Sequence, residues 1–122
     1  MVRLARHGDT PALAAWLAAG GDPHLRDPAR RTMLHFLAYL RDDGVETLLL
    51  DLLAAGLDLE ARDREGLTPL LYAVANGGTV TTVRALVTMG ADVSAVTFSG
   101  AGWADLARAA GRLSQLWFLV EL

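Results

Sequence analysis

The residues able to do chemistry are few: three histidines, three serines, scattered carboxylates, no cysteine and no lysine. Without cysteine there is no thiolate zinc site, no disulfide and no thiol nucleophile. Without lysine there is no Schiff-base chemistry. His7, His24 and His35 lack the spacing that sets two imidazoles on one helical face, so zinc would need all three to converge from different parts of the chain. Asp58, Glu60, Asp63 and Glu65 form an oxygen-rich run, but the central glycine and closing glutamate of a calcium loop are missing and Arg62 and Arg64 interrupt it. It reads as a solvated turn. Asp42 and Asp43 are neighbours rather than a facing acid and base pair, and Ser94, Ser99 and Ser114 stand on no nucleophile elbow. Gly77-Gly78-Thr79 lacks the continuation of a phosphate loop. No enzyme, cofactor or metal is expected.

A chain of 122 residues, 52% hydrophobic and with net charge −3, is expected to fold as one domain with ample core. An acidic balance offers phosphates no basic field, so nucleic acid is not an expected partner. No apolar run approaches the roughly 20 residues of a membrane span. Met1 to Gly8 shows no secretory pattern, which predicts a cytoplasmic location. Arginine supplies every basic residue, isoleucine is absent and Asn76 is the only asparagine. That usage suggests a GC-rich, bacterial source.

The elements that must position these residues come from a repeat. Leu17-Ala-Ala-Gly20-Gly-Asp22 returns as Leu53-Ala-Ala-Gly56-Leu-Asp58 and as Val87-Thr-Met-Gly90-Ala-Asp92, at spacings of 36 and 34 residues. A second motif keeps the same phase, beginning at Asp27, Asp63 and Thr97. Thr68 is suited to cap a helix that Pro69 opens. Gly20, Gly56 and Gly90 are placed to close helices in the left-handed conformation. Leu49, Leu52 and Leu53, like Val83, Leu86 and Val87, form apolar stripes at helical spacing. One such unit cannot bury its own apolar face, so the units must stack.

Gly66-Leu-Thr68-Pro69-Leu70-Leu71-Tyr-Ala73, followed by Val83 to Val93, resembles the ankyrin repeat, a unit of about 33 residues built from a turn and two helices. The resemblance implies an all-α solenoid of three and a half to four helix-turn-helix units with short β-turn or hairpin connections. Its expected boundaries are a truncated N-terminal cap at 1–26, units at 27–62 and 63–96, and a C-terminal cap at 97–122. Departures are Arg30 at the usual turn glycine, Met33 for the helix-opening proline, and extra residues at Arg41-Asp42-Asp43. His35 at the signature histidine implies a hydrogen bond between turns rather than catalysis.

The resemblance further implies a non-catalytic protein that grips another protein on a concave face of turn tips and first helices. Carried onto this chain, the partner-binding residues are Arg31, Phe36, Tyr39, Arg64, Glu65, Leu67, Tyr72, Asn76 and Phe98, with Phe36 or Tyr39 turning inward as the alternative. Trp16 is expected in the core and Trp103 in local packing. Trp117 is expected on the outer side of the last helix, as a dimer or partner contact of an otherwise monomeric chain, with a buried C-terminal staple as the alternative. Small bacterial members resemble immunity proteins that neutralise a cognate toxin; an effector or adaptor for a host or regulatory protein is the alternative.

Overall fold

The computed structural model describes residues 15–40 and 44–116. A helical turn at 15–18 is followed by α1 (Met33–Phe36), a 3-10 turn (Leu37–Tyr39), α2 (Val45–Ala54), α3 (Pro69–Ala75), α4 (Val80–Thr88) and α5 (Trp103–Ala109). Among the described residues there is no strand. The helices stack in two layers: α1 packs on α3 and α3 on α5, while α2 packs on α4. This is the expected solenoid.

Local chemistry explains where each helix begins and ends. Thr68 Oγ1 accepts the Leu71 N–H at 3.3 Å and Pro69 opens α3, as the sequence predicts. Thr79, outside the two repeated motifs, caps α4 by accepting the Thr82 N–H at 3.1 Å. Where a unit lacks the proline, at Met33, the α-helix lasts one turn before tightening into the 3-10 segment. Gly20, Gly56 and Gly90 have φ of 102°, 94° and 103°, and Asp22, Asp58 and Asp92 each accept a backbone N–H two residues on, at 2.9 Å.

The core lies between the layers. Met33, Leu34, Leu37, Leu48, Leu49, Leu52, Leu70, Leu71, Val83 and Leu86 are buried, so the predicted stripes do face inward. Leu53 and Val87 are half-buried against it, as are Trp16 and Trp103. Trp117 and the loop at Arg41-Asp42-Asp43 lie outside the described residues. No helix among the described residues is long and apolar enough to cross a membrane.

Each unit begins with the same turn. Asp27 donates its N–H to Arg31 O at 3.1 Å, Asp63 to Leu67 O at 3.1 Å, and Thr97 to Ala101 O at 2.9 Å. Successive tips are tied by the backbone: the Arg64 N–H donates to Ala29 O at 2.9 Å and the Phe98 N–H to Glu65 O at 3.3 Å. These bonds fix the register of the tips, and with it the line of side chains they present.

Candidate protein-binding face

Arg31 stands at the end of the first turn, where its guanidinium is held on several sides. Its Nε lies 2.7 Å from Asp27 Oδ2, an ion pair whose N–H is not aimed along the hydrogen-bond line. Its Nη1 donates to Tyr72 Oη at 2.8 Å from the next unit. Tyr72 Oη is in turn hydrogen-bonded to Tyr39 Oη. The two tyrosine rings meet edge-on, and the Arg31 guanidinium lies 5.7 Å from the centre of the Tyr72 ring. The Tyr72 phenol is pushed up to about 12, by burial first and then by the Tyr39 hydrogen bond, with Arg31 pulling the other way. It stays a neutral donor and acceptor throughout the physiological range.

Two adjoining hollows, of about 330 and 520 Å³, open between these tips and the first helices. Arg31, Tyr39 and Tyr72 line the first, Phe98, Ala75 and Leu106 the second, and Arg64, Glu65, Leu67 and Asn76 line both. Eight of the nine residues picked from the sequence are thus gathered on one face. The exception is Phe36: it is 0% exposed and sits in the core, so its groove assignment is corrected. In α1 it faces the inter-layer packing, stacked on Tyr39 at 6.1 Å, and only Tyr39 continues outward. Leu67 and Tyr72 are also buried, and Tyr72 at 3% exposure reaches the hollow through its rim and hydroxyl alone.

Phe98 is 71% exposed, an unusual position for a phenylalanine. Its ring lies over Gly66 so closely that a Cβ there would come within 2.7 Å of it, and the Arg62 guanidinium stands 6.0 Å from its centre. Arg62 also donates from Nη1 to Gly66 O at 2.7 Å and to Val96 O. One unit earlier Arg26 does the same, donating to Arg30 O at 3.3 Å and Arg62 O at 3.5 Å. These arginines latch each turn to the next unit. In the sequence Arg62 stands out only as an interruption of an acidic run, and its 36-residue spacing from Arg26 is the signal for this role.

In that run Asp58 and Glu65 are exposed, as a solvated turn requires, and the correction falls on Asp63. Asp63 is buried, and its Oδ1 accepts the N–H groups of Glu65 and Leu67, both at 2.9 Å. Glu60 Oε2 accepts the Asp92 N–H of the following unit at 3.0 Å. These carboxylates are absorbed by backbone donors, and among the described residues no three of His, Asp and Glu gather as a metal would require. His7 lies outside the described residues. His35 is buried, accepts the Thr32 N–H at Nδ1 at 3.1 Å and donates from Nε2 to Leu67 O at 2.7 Å. The network fixes a neutral tautomer bridging two turns, and burial holds its pKa below the ordinary histidine value, although the Leu67 bond acts the opposite way.

Stacked turn-helix-helix units, joined tip to tip and hollowed along the tips, define a repeat scaffold. A family model for ankyrin repeats (3 copies) matches residues 1–97 of the chain. The chain belongs to the ankyrin-repeat family, whose members are modules of protein–protein interaction. It is also similar to part of "Protein lin-12" of Caenorhabditis elegans, with 32% identity over 102 residues. That match covers 82% of this chain, which spans 7% of the length of the nematode protein.

Proposed function

We propose that the chain holds a partner protein against the hollowed face, without catalysis, and that this partner is a toxin whose activity it blocks, as an immunity protein does. The observation that carries the reading is the Arg31–Tyr72–Tyr39 anchor. Arginine and tyrosine are over-represented among residues that dominate binding energy, and these three are fixed in place by contacts within the chain. A face already ordered loses little conformational entropy on binding, which suits a tight inhibitor. Phe98, beside the anchor, offers an apolar contact whose burial would add about 2 kcal/mol.

The test is quantitative co-purification of the tagged chain from its own cells, followed by assay of the captured protein. Arg64→Ala, Phe98→Ala is compared with a control on the outer layer, Leu50→Ala, Met89→Ala. The reading expects an equimolar partner that is lost with the first pair, kept with the second, and inactive when saturated by the chain. A partner captured equally by both variants contradicts the face. One captured through the face but fully active contradicts inhibition and favours an adaptor.

A further inference from the structure

The hydroxyls of the anchor leave a proton without an acceptor. Tyr39 and Tyr72 carry two O–H hydrogens between them, and Arg31 can only donate, so Tyr72 Oη accepts from it. The bond between the two phenols consumes one hydrogen. The other has no acceptor among the described residues, whichever phenol holds it. Tyr39 is half-buried and both phenols line the open hollow, where solvent can take this hydrogen in the free chain; a partner that displaces that solvent must bring an oxygen in its place or lose the bond.

The same hollow has spare acceptors among its other lining residues. Asn76 donates Nδ2 to Tyr72 O at 3.1 Å, and its Oδ1 has no partner among the described residues. The Glu65 carboxylate likewise meets no cation there; the bonds of Glu65 are made by its backbone. Charge around the hollow is balanced rather than one-sided. Arg31 is matched by Asp27, Asp63 is turned into its own turn, and the exposed Arg64 stands beside the exposed Glu65. A carboxylate drawn by Arg64 would also meet Glu65, and an ammonium drawn by Glu65 would also meet Arg31 and Arg64, so a neutral group that both accepts and donates suits this lining without a like-charge contact.

We propose that this hollow receives a carboxamide, the side chain of an asparagine or glutamine on the partner protein. Its oxygen accepts from the free tyrosine O–H and its NH2 donates to Glu65 or Asn76 Oδ1. No other neutral side chain offers both an sp² oxygen and two N–H donors on one rigid plane. The inference rests on the proposal that this face binds protein, and it adds the chemistry of the contact. The second hollow, with Phe98 and Leu106, then takes a neighbouring apolar residue of the same partner segment.

The experiment is selection of random short peptides displayed on phage against the immobilised full chain, in parallel with Tyr39→Phe and Glu65→Ala. Tyr39 is half-buried and Glu65 exposed, so both variants keep the core, which circular dichroism checks. The expected result is a common asparagine or glutamine next to an apolar residue. Conversion of that amide to the acid should weaken binding about tenfold or more, and the Tyr39→Phe chain should lose the preference. Enrichment of acidic or basic residues at that position overturns the carboxamide, as does a preference unchanged in both variants. If no peptide is enriched, the hollow does not recognise a short segment and the inference fails. Peptides that bind and are lost with Arg64→Ala, Phe98→Ala, yet share no amide, defeat this inference while leaving the protein-binding face intact. Selected peptides indifferent to that pair defeat the face itself.

Discussion

One backbone position recurs in three units with different side chains, and substituting it should give three different costs. Arg30, Gly66 and Gly100 occupy the same place in their turns and all have positive φ, at 64°, 83° and 89°. A side chain there carries a penalty of about 1–2 kcal/mol. Gly100→Ala has open space around the new Cβ, so the backbone term acts alone and the loss should be about 1 kcal/mol. Gly66→Ala adds a collision, because its Cβ would come within 2.6 Å of the Phe98 backbone nitrogen and 2.7 Å of its ring. The nitrogen belongs to the bond that joins two tips, so it cannot step aside freely; overpacking adds about 1–3 kcal/mol, for a total of about 2–5. Arg30→Gly relieves the strain but frees the unfolded chain, for a net gain of about 0.5–1 kcal/mol. Urea unfolding of the three variants ranks them directly. If Gly66→Ala costs no more than Gly100→Ala, the close seating of Phe98 on the preceding turn is refuted. If Arg30→Gly lowers stability, so is the strain at Arg30.

Further predictions concern the buried ties. The His35 pKa is lowered in the fold, while the unfolded chain titrates near the ordinary value of about 6.5. Below that pH the unfolded state takes up a proton the folded state refuses, so stability should fall, by at most about 1.4 kcal/mol per pH unit, and level off beneath the folded pKa. His35→Gln should flatten this part of the pH profile of the unfolding midpoint; an identical slope would contradict the assignment. Arg62→Ala removes two hydrogen bonds and the cation over Phe98, and should cost about 2 kcal/mol in denaturant unfolding. Arg112 donates from Nη1 to Ala73 O and Val74 O, both at 3.0 Å, and from Nη2 to Gly78 O, so Arg112→Ala should cost about 2–3 kcal/mol and speed amide exchange at Gly78.

What the sequence makes legible is what the repeat period encodes. Thr68, Pro69 and the glycines before Asp22, Asp58 and Asp92 act locally, through caps and φ angles, and their roles follow from residue type and spacing. The first-helix layer and the tips follow from the same phase, which is why Arg31, Tyr39, Arg64, Glu65, Leu67, Tyr72, Asn76 and Phe98 fall on one face. Phe36 is misplaced by that reasoning because its position faces the core with or without the helix-opening proline: the equivalent Tyr72, in the longer α3, is buried too and differs only in carrying a hydroxyl that bonds Arg31 and Tyr39. Arg112 gives no sequence signal: its acceptors are carbonyls at the end of α3 and just beyond it, brought to it only by stacking. The Arg31–Tyr72–Tyr39 hydrogen bonds are hidden for the same reason, since they join side chains 33 and 41 residues apart.

The central claim is that the tips and first helices, rather than the outer helices α2 and α4, are the surface that meets a partner. Amide hydrogen exchange of the chain alone and in complex with its co-purified partner tests this most directly. The account predicts added protection at residues 27–31, 63–67 and 97–101 and at the exposed end of α3, with α2 and α4 unchanged. Protection centred on Leu50 and Met89, with the tips exchanging as in the free chain, would contradict it.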